Sequence, residues 1–507
     1  MIQRTKILQG GRLIDLDAGA LRSVDIVING DSIVDVVEQG AGPADAEIID
    51  VSERILHAGL INGHTHGHGA LARGMGDSWT LELLLAAGPW IYGNQSLEDM
   101  QLCAALNGVE MIMKGCTACY DLYIEFPLPS VEGMQAVANG YKQVGMRAIV
   151  APMVSDTPFY LAVPGLAEAM PDTLRRDVES WTVQPASLLL SRLRAIYSGW
   201  RDDRSSIGFA VAPTIPLHCT DDFFRGCLQL AAEHGAGVHS HISESKVQTI
   251  ASLDRFGGTI VSHLSKLGAL TARFTAAHAV WLTPDDMKLM ADAGAHVAHN
   301  PASNMRLGNG LADVRTMLDT SLNVGIGTDG SSCSDNQNMY EAMRLASFVS
   351  KAQSPEIEDW CSTLEVARAA TIGSAQLIGM GSQLGRVVPG FKADIVFLDA
   401  NHPNWIPIND AVNQLVHCED GSGVADVMIG GKFVVRDRRP VGVDLQDLSR
   451  KVERVRQRLE ALNASTKQLS LEFSKVVGKF CPGLARRPFP VNRYVRHACE
   501  LRRSRSA

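Results

Sequence analysis

Two histidines that follow a short apolar run have the spacing of a shared metal site. The run is RILHAGLIN at residues 54–62, and it leads into Gly63-His64-Thr65-His66. Side chains at positions i and i+2 of a strand point to the same face, so His64 and His66 present both imidazoles on one side. Imidazole is a good ligand for Zn, Cu and Fe. Two strand histidines are more often an ordinary hydrogen-bonded pair, so this pattern needs further ligands to predict a metal site.

Three more residues with metal-binding side chains end later apolar runs. His241 lies in the segment HSHISE, His278 ends TAAH, and Asp329 ends GIGTD. Neutral histidines and a single aspartate suit Zn(II) or Fe(II), and such a set leaves one position open for water. The sequence therefore predicts one divalent metal ion per chain, with zinc as the first candidate and iron(II) as the alternative.

Short apolar strands that alternate with helical patterns must position these residues. Eight strand candidates lie at residues 55–66, 117–121, 147–153, 207–213, 237–241, 275–278, 296–300 and 324–329. Eight strands separated by helices are typical of a TIM barrel, whose active site lies at the C-terminal ends of its strands. In that fold the four histidines and Asp329 converge at one end, from strands one, five, six and eight.

The two ends of this region have a different pattern. Residues 6–37 contain short strands with an Asn29-Gly30 hairpin signal, and residues 393–398 and 427–435 repeat the pattern. We therefore predict an α/β protein in which residues 1–55 and 385–443 build a small β-sandwich beside a barrel at residues 56–384. Residues 444–507 are predicted to form an amphipathic helix and a basic tail, whose removal is expected to leave metal binding intact.

Six motifs of the chain resemble those of the amidohydrolase superfamily, in particular its cytosine deaminase-like and triazine hydrolase-like branch. The motifs are GHTH at 63–66, HISE at 241–244, His278, HNPASNMRLG at 299–308, GTDG at 327–330 and GRVVPGFKAD at 385–394. The resemblance runs from about Lys6 to about Arg438. It implies four metal ligands, which are His64, His66, His241 and Asp329.

The same resemblance implies three catalytic residues. Asp329 would take the proton of the water, and Glu244 would hand a proton to the ring nitrogen or the leaving group. His278 would polarise the substrate or orient the water. Binuclear relatives carry a carboxylated lysine at the end of strand four, whereas this chain has no lysine between Lys142 and Lys246, which favours a single metal.

Several residues near these motifs are candidates for the substrate pocket, although each could equally serve packing. The first set is His68, Trp79, Thr214, His239 and Asn304, and further candidates are Trp90, Tyr92, Trp281 and Arg306. Many deaminases of this branch have a histidine directly after the Ala-Pro that ends strand four, where this chain has Thr214. That departure argues against purine or adenosyl substrates.

Composition excludes several classes of function. Hydrophobic residues make up 46% and charged residues 20% of the 507, and the net charge of -8 gives no reason to expect nucleic acid as a partner. No run of about 18 apolar residues suggests a membrane span, and Met1–Gly10 lacks a secretory signal, so a cytoplasmic location is expected. The ten scattered cysteines suit free thiols. A small-molecule substrate and a homodimeric assembly are expected.

The sequence thus predicts a metal-dependent hydrolase that acts on a carbon–nitrogen bond of a small nitrogen heterocycle, most simply a deaminase. Alternatives are hydrolysis of an amide, urea or carbamate, and displacement of a halide from an aromatic ring, because the same metal chemistry serves them all. A non-catalytic binding module is a remote alternative, because such modules tend to lose ligands that are all present here.

Overall fold

The computed structural model describes residues 5–495, and its strands fall into two sheets. Numbered along the chain, the strands are β1 (Lys6–Asp15), β2 (Ala20–Asn29), β3 (Ser32–Glu38), β4 (Glu47–Asp50), β5 (Arg54–Ala58), β6 (Leu60–Thr65), β7 (Cys116–Tyr123), β8 (Arg147–Val154), β9 (Ile207–Pro213), β10 (Gly237–Ile242), β11 (Phe274–His278), β12 (His296–His299), β13 (Asn323–Ile326), β14 (Ile395–Asp399), β15 (Val424–Ile429), β16 (Lys432–Arg436) and β17 (Arg439–Pro440).

Helices connect the strands and surround the sheet that β6 to β13 form. They are α1 (Leu81–Tyr92), α2 (Leu97–Met113), α3 (Val131–Val144), α4 (Phe159–Ala162), α5 (Asp172–Val178), α6 (Ala186–Gly199), α7 (Asp221–Glu233), α8 (Lys246–Phe256), α9 (Ile260–Lys266), α10 (Pro284–Asp292), α11 (Pro301–Arg306), α12 (Val314–Asp319), α13 (Met339–Gln353), α14 (Thr363–Arg368), α15 (Ser374–Leu377), α16 (Ala411–His417), α17 (Leu445–Leu462) and α18 (Ala464–Ala485). A π-helical turn, Ala369–Gly373, joins α14 to α15.

The predicted barrel of eight parallel strands is confirmed. Strands β6 to β13 pair in sequence order, each with the next along the chain. All positions of β7 and β9 are buried, as expected for parallel strands covered on both faces, and this explains why their sequences are apolar runs rather than alternating patterns. The two end strands meet where the backbone N–H of Asp329 donates to the carbonyl of His64 at 2.9 Å.

One predicted strand is divided in the structure. The run at residues 55–66 supplies β5 to the end sheet, where His57 pairs with Val396, and β6 to the barrel. The change of sheet occurs at Gly59, whose N–H donates to the carbonyl of Asp394 at 2.9 Å. Both strands are buried, so the sequence pattern continues through the join and does not reveal it.

The prediction that both chain ends build one small β domain is also confirmed. Its nine strands form a continuous sheet in the order β17-β16-β15-β14-β5-β1-β2-β3, with β4 beside β1. Ile26 and Ile28 from the N-terminal part share a buried apolar cluster with Ile395, Phe397 and Met428 from the C-terminal part. Neither part buries these side chains without the other.

The C-terminal segment is more closely attached to the barrel than the sequence predicts. Beyond the predicted amphipathic helix α17 lies a second helix, α18, in which Phe473 and Val477 join a buried cluster with Ala86 of α1 and Tyr160 of α4. The expectation that removal of residues 444–507 leaves metal binding intact stays a prediction, but the removal would expose the apolar surface that α18 covers. None of the described helices is both long and apolar enough to cross a membrane.

The predicted basic tail lies only partly within the described residues. Arg487 is paired with Asp254 at 2.6 Å, and Arg493 with Asp313 at 3.0 Å, so both lie against the barrel helices. Arg486 follows the end of α18. The other four arginines of the tail lie outside the described residues; these are Arg496, Arg502, Arg503 and Arg505.

Candidate active site

Four side chains predicted as metal ligands meet at the C-terminal end of the barrel. His64 lies on β6, His66 directly follows it, and His241 lies on β10, while Asp329 follows β13 by three residues. The Nε2 atoms of His66 and His241 are 3.2 Å apart. Asp329 Oδ1 lies 3.2 Å from Nε2 of His66 and 3.5 Å from Nε2 of His64. Nitrogen and oxygen atoms this close around one point fit a single ion.

The hydrogen bonds of two histidines leave the correct nitrogen free for a metal. Nδ1 of His66 lies 2.6 Å from the carbonyl of Leu122, and Nδ1 of His241 lies 2.7 Å from the carbonyl of Thr214. A carbonyl oxygen only accepts, so each Nδ1 carries the hydrogen and each Nε2 keeps its lone pair. This tautomer is the one in which metal-binding histidines are usually held.

The unpaired ring nitrogens of His64 support the same conclusion. Both ring nitrogens of His64 are buried and have no hydrogen-bond partner among the described residues. A buried polar atom without a partner is costly, and an ion is a common reason for its persistence. Ligand atoms of His64, His66 and Asp329 all lie within 4.8 Å of one another. The donor set therefore fits a divalent metal ion.

Glu244 and His278 lie beside this cluster. Nε2 of His278 is 3.6 Å from Oε2 of Glu244 and 3.8 Å from Oδ2 of Asp329. Nδ1 of His278 lies 2.9 Å from Oδ1 of Asn304, which places the hydrogen on Nδ1 and leaves Nε2 as an acceptor. Oε2 of Glu244 and Nε2 of His278 have no partner among the described residues, so both face the space where a substrate would bind.

The backbone turns sharply at the points where these side chains enter the site. Ser243, His278, Ala279 and Asp329 have φ angles of 48°, 69°, 51° and 65°, in the left-handed region that non-glycine residues seldom adopt. Such residues cost on the order of 1–3 kcal/mol each and tend to cluster at functional sites. Four such residues at this end of the barrel support the assignment of the active site to this end.

The surroundings of the two carboxyl groups of the site shift their pKa values in opposite directions. Burial, together with the nearby charges of Asp329 and Glu82, raises the pKa of Glu244 well above its usual value. Burial acts in the same direction on Asp329, but its close contacts with the rings of His64 and His66 outweigh it and hold the pKa of Asp329 well below its usual value. Carboxyl groups separated in this way are suited to act as an acid and a base.

Two contacts that sequence reasoning missed hold these carboxyl groups in place. The hydroxyl of Ser303 donates to Oδ2 of Asp329 at 2.6 Å. The side-chain amide of Asn309 donates to Oε1 of Glu244 at 3.1 Å. Ser303 belongs to the motif at residues 299–308, which was a signal for it, whereas Asn309 lies just after that motif and had none.

A cavity of about 560 Å³ opens from the metal cluster, and it contains only some of the predicted pocket residues. His68 and Thr214 line it, as does Tyr92. The remaining first-set candidates lie outside its lining: Asn304 contacts His278 from behind, His239 packs between His64 and Tyr120, and Trp79 packs in the cluster beside α1. Trp281 is buried against Tyr494, and Arg306 pairs with Asp335 at 2.8 Å.

Comparison with known proteins gives the family. The model of the amidohydrolase family matches residues 55–434, most of the chain. The chain belongs to the amidohydrolase family. A 5-methylthioadenosine/S-adenosylhomocysteine deaminase of Desulforamulus reducens is 31% identical over 77% of this chain and 83% of its own length. A 5'-deoxyadenosine deaminase of Methanosarcina mazei is 28% identical over 88% of this chain and 96% of its own.

Solved structures agree with this membership. An adenosine deaminase from Xanthomonas campestris with bound zinc has a TM-score of 0.80 and 25% identity, covering 90% of this chain and 98% of its own. A triazine hydrolase from Arthrobacter aurescens has the same TM-score and identity, covering 90% of this chain and 100% of its own. The predicted superfamily is therefore confirmed, and with it a metal-dependent hydrolase that acts on carbon–nitrogen bonds other than peptide bonds.

Proposed function

We propose that this protein uses one zinc ion to deaminate the adenine ring of a nucleoside that is modified at its 5′ position. The observation that carries the proposal is the convergence of two buried carboxyl groups beside the metal cluster, with Oε2 of Glu244 3.6 Å and Oδ2 of Asp329 3.8 Å from Nε2 of His278. Hydrolytic deamination needs both an acid and a base at the reacting carbon.

The proposed metal ligands are His64, His66, His241 and Asp329. A divalent cation held there would lower the pKa of a bound water to about 7, which supplies hydroxide at neutral pH. A single ion is proposed because the chain has no lysine from residue 143 to residue 245 that could bridge two. Zinc is proposed because the adenosine deaminase with TM-score 0.80 binds it and because histidine nitrogen and carboxylate oxygen ligands suit it.

The residues of the chain divide the proton transfers between them. Asp329, ionised, accepts a proton from the attacking water, and the lone pair on Nε2 of His278 orients that water. Glu244, protonated, gives its proton to the ring nitrogen next to the reacting carbon. Water adds to that carbon. Asp329 then passes its proton to the amino group, the carbon–nitrogen bond breaks as ammonia leaves, and the proton of the added hydroxyl returns to Glu244, so that a carbonyl remains on the ring.

The substrate class comes from the relatives, and the cavity is compatible with it. Thr214 stands where many deaminases have a histidine, but His218, four residues later, lines the cavity and is buried. Burial lowers the pKa of His218 to about 4, so its ring is neutral at pH 7 and can both donate and accept a hydrogen bond. The departure at Thr214 therefore leaves an imidazole on this side of the cavity, and the argument against adenosyl substrates loses its basis.

Ammonia release from the purified, zinc-loaded protein tests the proposal. We expect 5′-methylthioadenosine and 5′-deoxyadenosine to yield one ammonia per nucleoside, with elemental analysis giving about one metal per chain. Asp329→Ala should lose metal and activity together, whereas Leu471→Ala, an exposed change on α18, should lose neither. Absence of ammonia from every adenine nucleoside would contradict the proposal.

A second candidate reaction is the hydrolytic removal of a substituent from a triazine ring. It is favoured by the triazine hydrolase structures, which match the whole fold with a TM-score of 0.80, and by the apolar lining of the cavity. Chloride or amine release from alkylaminotriazines, measured on the same preparation, distinguishes the two. A cytoplasmic location and a homodimeric assembly remain predictions from the sequence.

A further inference from the structure

We infer that the outer part of the cavity selects substrates whose 5′ substituent is uncharged and apolar, and that α18 is a determinant of this selectivity. The inference rests on the proposed function, because it names the part of the nucleoside that lies away from the reacting carbon. It concerns the cavity wall beyond the metal cluster, which the proton-transfer residues do not form.

The charge of the cavity wall is the first observation. Asp329 and Glu244 are the acidic residues that line the cavity, and both lie at its metal end. Among residues 5–495, no lysine or arginine lines it. Beyond the metal end the wall is built largely from aliphatic and aromatic side chains, with Leu84, Ile124 and Trp181 among them.

The consequence for substrates follows from the cost of burying charge. A substituent that ends in an α-amino acid group, as in S-adenosylhomocysteine, brings a carboxylate and an ammonium, which would have no charged side chain to pair with beyond the metal end and would have to lose their hydration. A methylthio or longer alkylthio group has no such cost and gains from leaving water. The wall therefore favours nucleosides with an apolar 5′ substituent over those with a charged one, although both have the same purine ring.

The origin of the wall is the second observation. Part of it comes from α18, through Thr466 and Phe473, and the family match ends at residue 434. Phe473 is 1% exposed and packs with Tyr160 of α4 and Ala86 of α1, so the helix is fixed against two other elements of the wall. α18 thus lies beyond the family match and contributes to the wall at the part of the cavity where the substituent of the substrate would lie.

Three nucleosides, assayed separately, test the selectivity of the full-length zinc-loaded protein. The set is 5′-methylthioadenosine, 5′-deoxyadenosine and S-adenosylhomocysteine, each followed by ammonia release. We expect kcat/KM for 5′-methylthioadenosine to exceed that for S-adenosylhomocysteine by at least about tenfold, in the range that pocket contacts supply. Equal values, or a preference for S-adenosylhomocysteine, would overturn the inference while leaving the proposed deamination intact.

Variants of α18 test whether this helix contributes to the selectivity. Thr466→Lys places a cation in the wall and should raise kcat/KM for S-adenosylhomocysteine relative to 5′-methylthioadenosine by about tenfold. Thr466→Met, of similar length and neutral, is the matched control and should not. Phe473→Leu keeps an apolar side chain and is used because Phe473→Ala could fail to fold. It should lower the ratio of kcat/KM for 5′-methylthioadenosine to kcat/KM for 5′-deoxyadenosine. Unchanged ratios in both Thr466→Lys and Phe473→Leu would show that α18 does not select substrates.

Binding separates a failure of this inference from a failure of the proposed function. The rise in Tm on addition of each nucleoside needs no turnover. If no nucleoside is deaminated but 5′-methylthioadenosine still raises Tm more than S-adenosylhomocysteine, and Thr466→Lys reverses that order, the selectivity stands and the reaction is wrong. If neither ammonia release nor Tm distinguishes the two nucleosides, the selectivity is wrong.

Discussion

At the scale of single residues, the site shows how surroundings assign different tasks to groups of the same kind. Glu244 lies among apolar walls and other carboxylates, with one amide donor, and its acid form is favoured. Asp329 lies a few ångströms away but contacts His64, His66 and the hydroxyl of Ser303, and its ionised form is favoured. The difference between their pKa values comes from neighbours that separate segments of the chain provide.

Replacing Glu244 by glutamine separates proton transfer from metal binding. Glutamine keeps the size of the side chain and its contact with Asn309, but it cannot deliver a proton. We expect turnover to fall by about a hundredfold or more, in line with general acid–base contributions, while metal content stays unchanged. Steady-state kinetics and elemental analysis on the same sample measure both. Loss of the metal from Glu244→Gln would identify Glu244 as a ligand instead of a proton donor.

Sequence reasoning at this scale predicted which side chains lie together where their positions are tied to spacing and motif order. His64 and His66 are neighbours because a strand has a period of two, and motif order indicated the positions of His241 and Asp329. It failed where a side chain reaches the site through loop geometry. Asn304 contacts His278 instead of the cavity, and Asn309 reaches Glu244, because the short helix α11 and the turn after it determine those directions.

At the scale of elements, β5 joins the end sheet to the barrel helices through His57. The ring is fully buried, with Nδ1 2.8 Å from the carbonyl of Ala58 and Nε2 2.8 Å from the hydroxyl of Tyr340 in α13. Nδ1–H donates to the carbonyl, and Nε2 accepts from the tyrosine. The neutral ring satisfies both contacts, whereas a protonated ring would lose the second.

This arrangement predicts a loss of stability in acid. Burial lowers the pKa of His57 from 6.5 to about 4, so the unfolded chain takes up a proton at a higher pH than the folded one. Stability from the neutral ring is present above about pH 6.5 and falls as pH drops towards 4, by roughly 3 kcal/mol in all.

Urea unfolding at pH 7 and pH 4.5 measures the effect. Other buried histidines act in the same direction, so the comparison is with His57→Gln, whose amide can both donate to Ala58 and accept from Tyr340. The pH-dependent loss should be smaller in His57→Gln than in the parent. The same loss in both proteins would show that His57 is not a source of acid sensitivity.

The C-terminal helices give a second prediction at this scale. Removal of residues 464–507 would expose the apolar surfaces of α1, α4 and α8 that contact Phe473 and Val477. Phe473→Ala alone should cost about 3–5 kcal/mol, as expected for a buried aromatic side chain. Leu471→Ala, which is 44% exposed on the same helix, should change stability by less than about 0.5 kcal/mol.

Chemical unfolding of the two point variants and solubility of the truncated chain provide the measurements. A truncated protein that stays soluble, binds metal and keeps its Tm would show that α18 is peripheral, as the sequence alone suggested. The sequence could not show otherwise, because the apolar residues of α18 acquire a partner only when α1 and α4 fold beside it.

At the scale of the whole molecule, the number of apolar runs predicted the fold class, but the sequence did not predict where the chain passes from one sheet to the other. Eight apolar runs between helices predict the barrel, and matching strand patterns at both ends predict a shared β domain. The boundary inside residues 55–66 escaped because burial makes β5 and β6 alike, although they belong to different sheets. Long-range pairing of this kind depends on tertiary contacts that a local pattern does not contain.

The shared sheet makes the metal site dependent on the N-terminal strands, although these lie far from it in sequence. β1 lies between β2 and β5, and β5 leads directly into β6, which carries His64. Loss of β1 would leave β5 as an edge next to exposed apolar side chains of Ile395 and Phe397. Each large aliphatic side chain that loses its burial costs roughly 1.5 to 3 kcal/mol.

Deleting residues 1–37 should therefore yield insoluble or unfolded protein without metal, as judged by sedimentation, circular dichroism and elemental analysis. Single variants of the full chain provide a graded version of the same test. Ile26→Ala, at a fully buried position of β2, should cost about 2–5 kcal/mol, whereas Val34→Ala, at a position of β3 that is 48% exposed, should cost less than about 0.5 kcal/mol. A soluble, metal-loaded and active deletion variant would refute the shared sheet, because the C-terminal strands would then have to bury their apolar faces without the N-terminal ones.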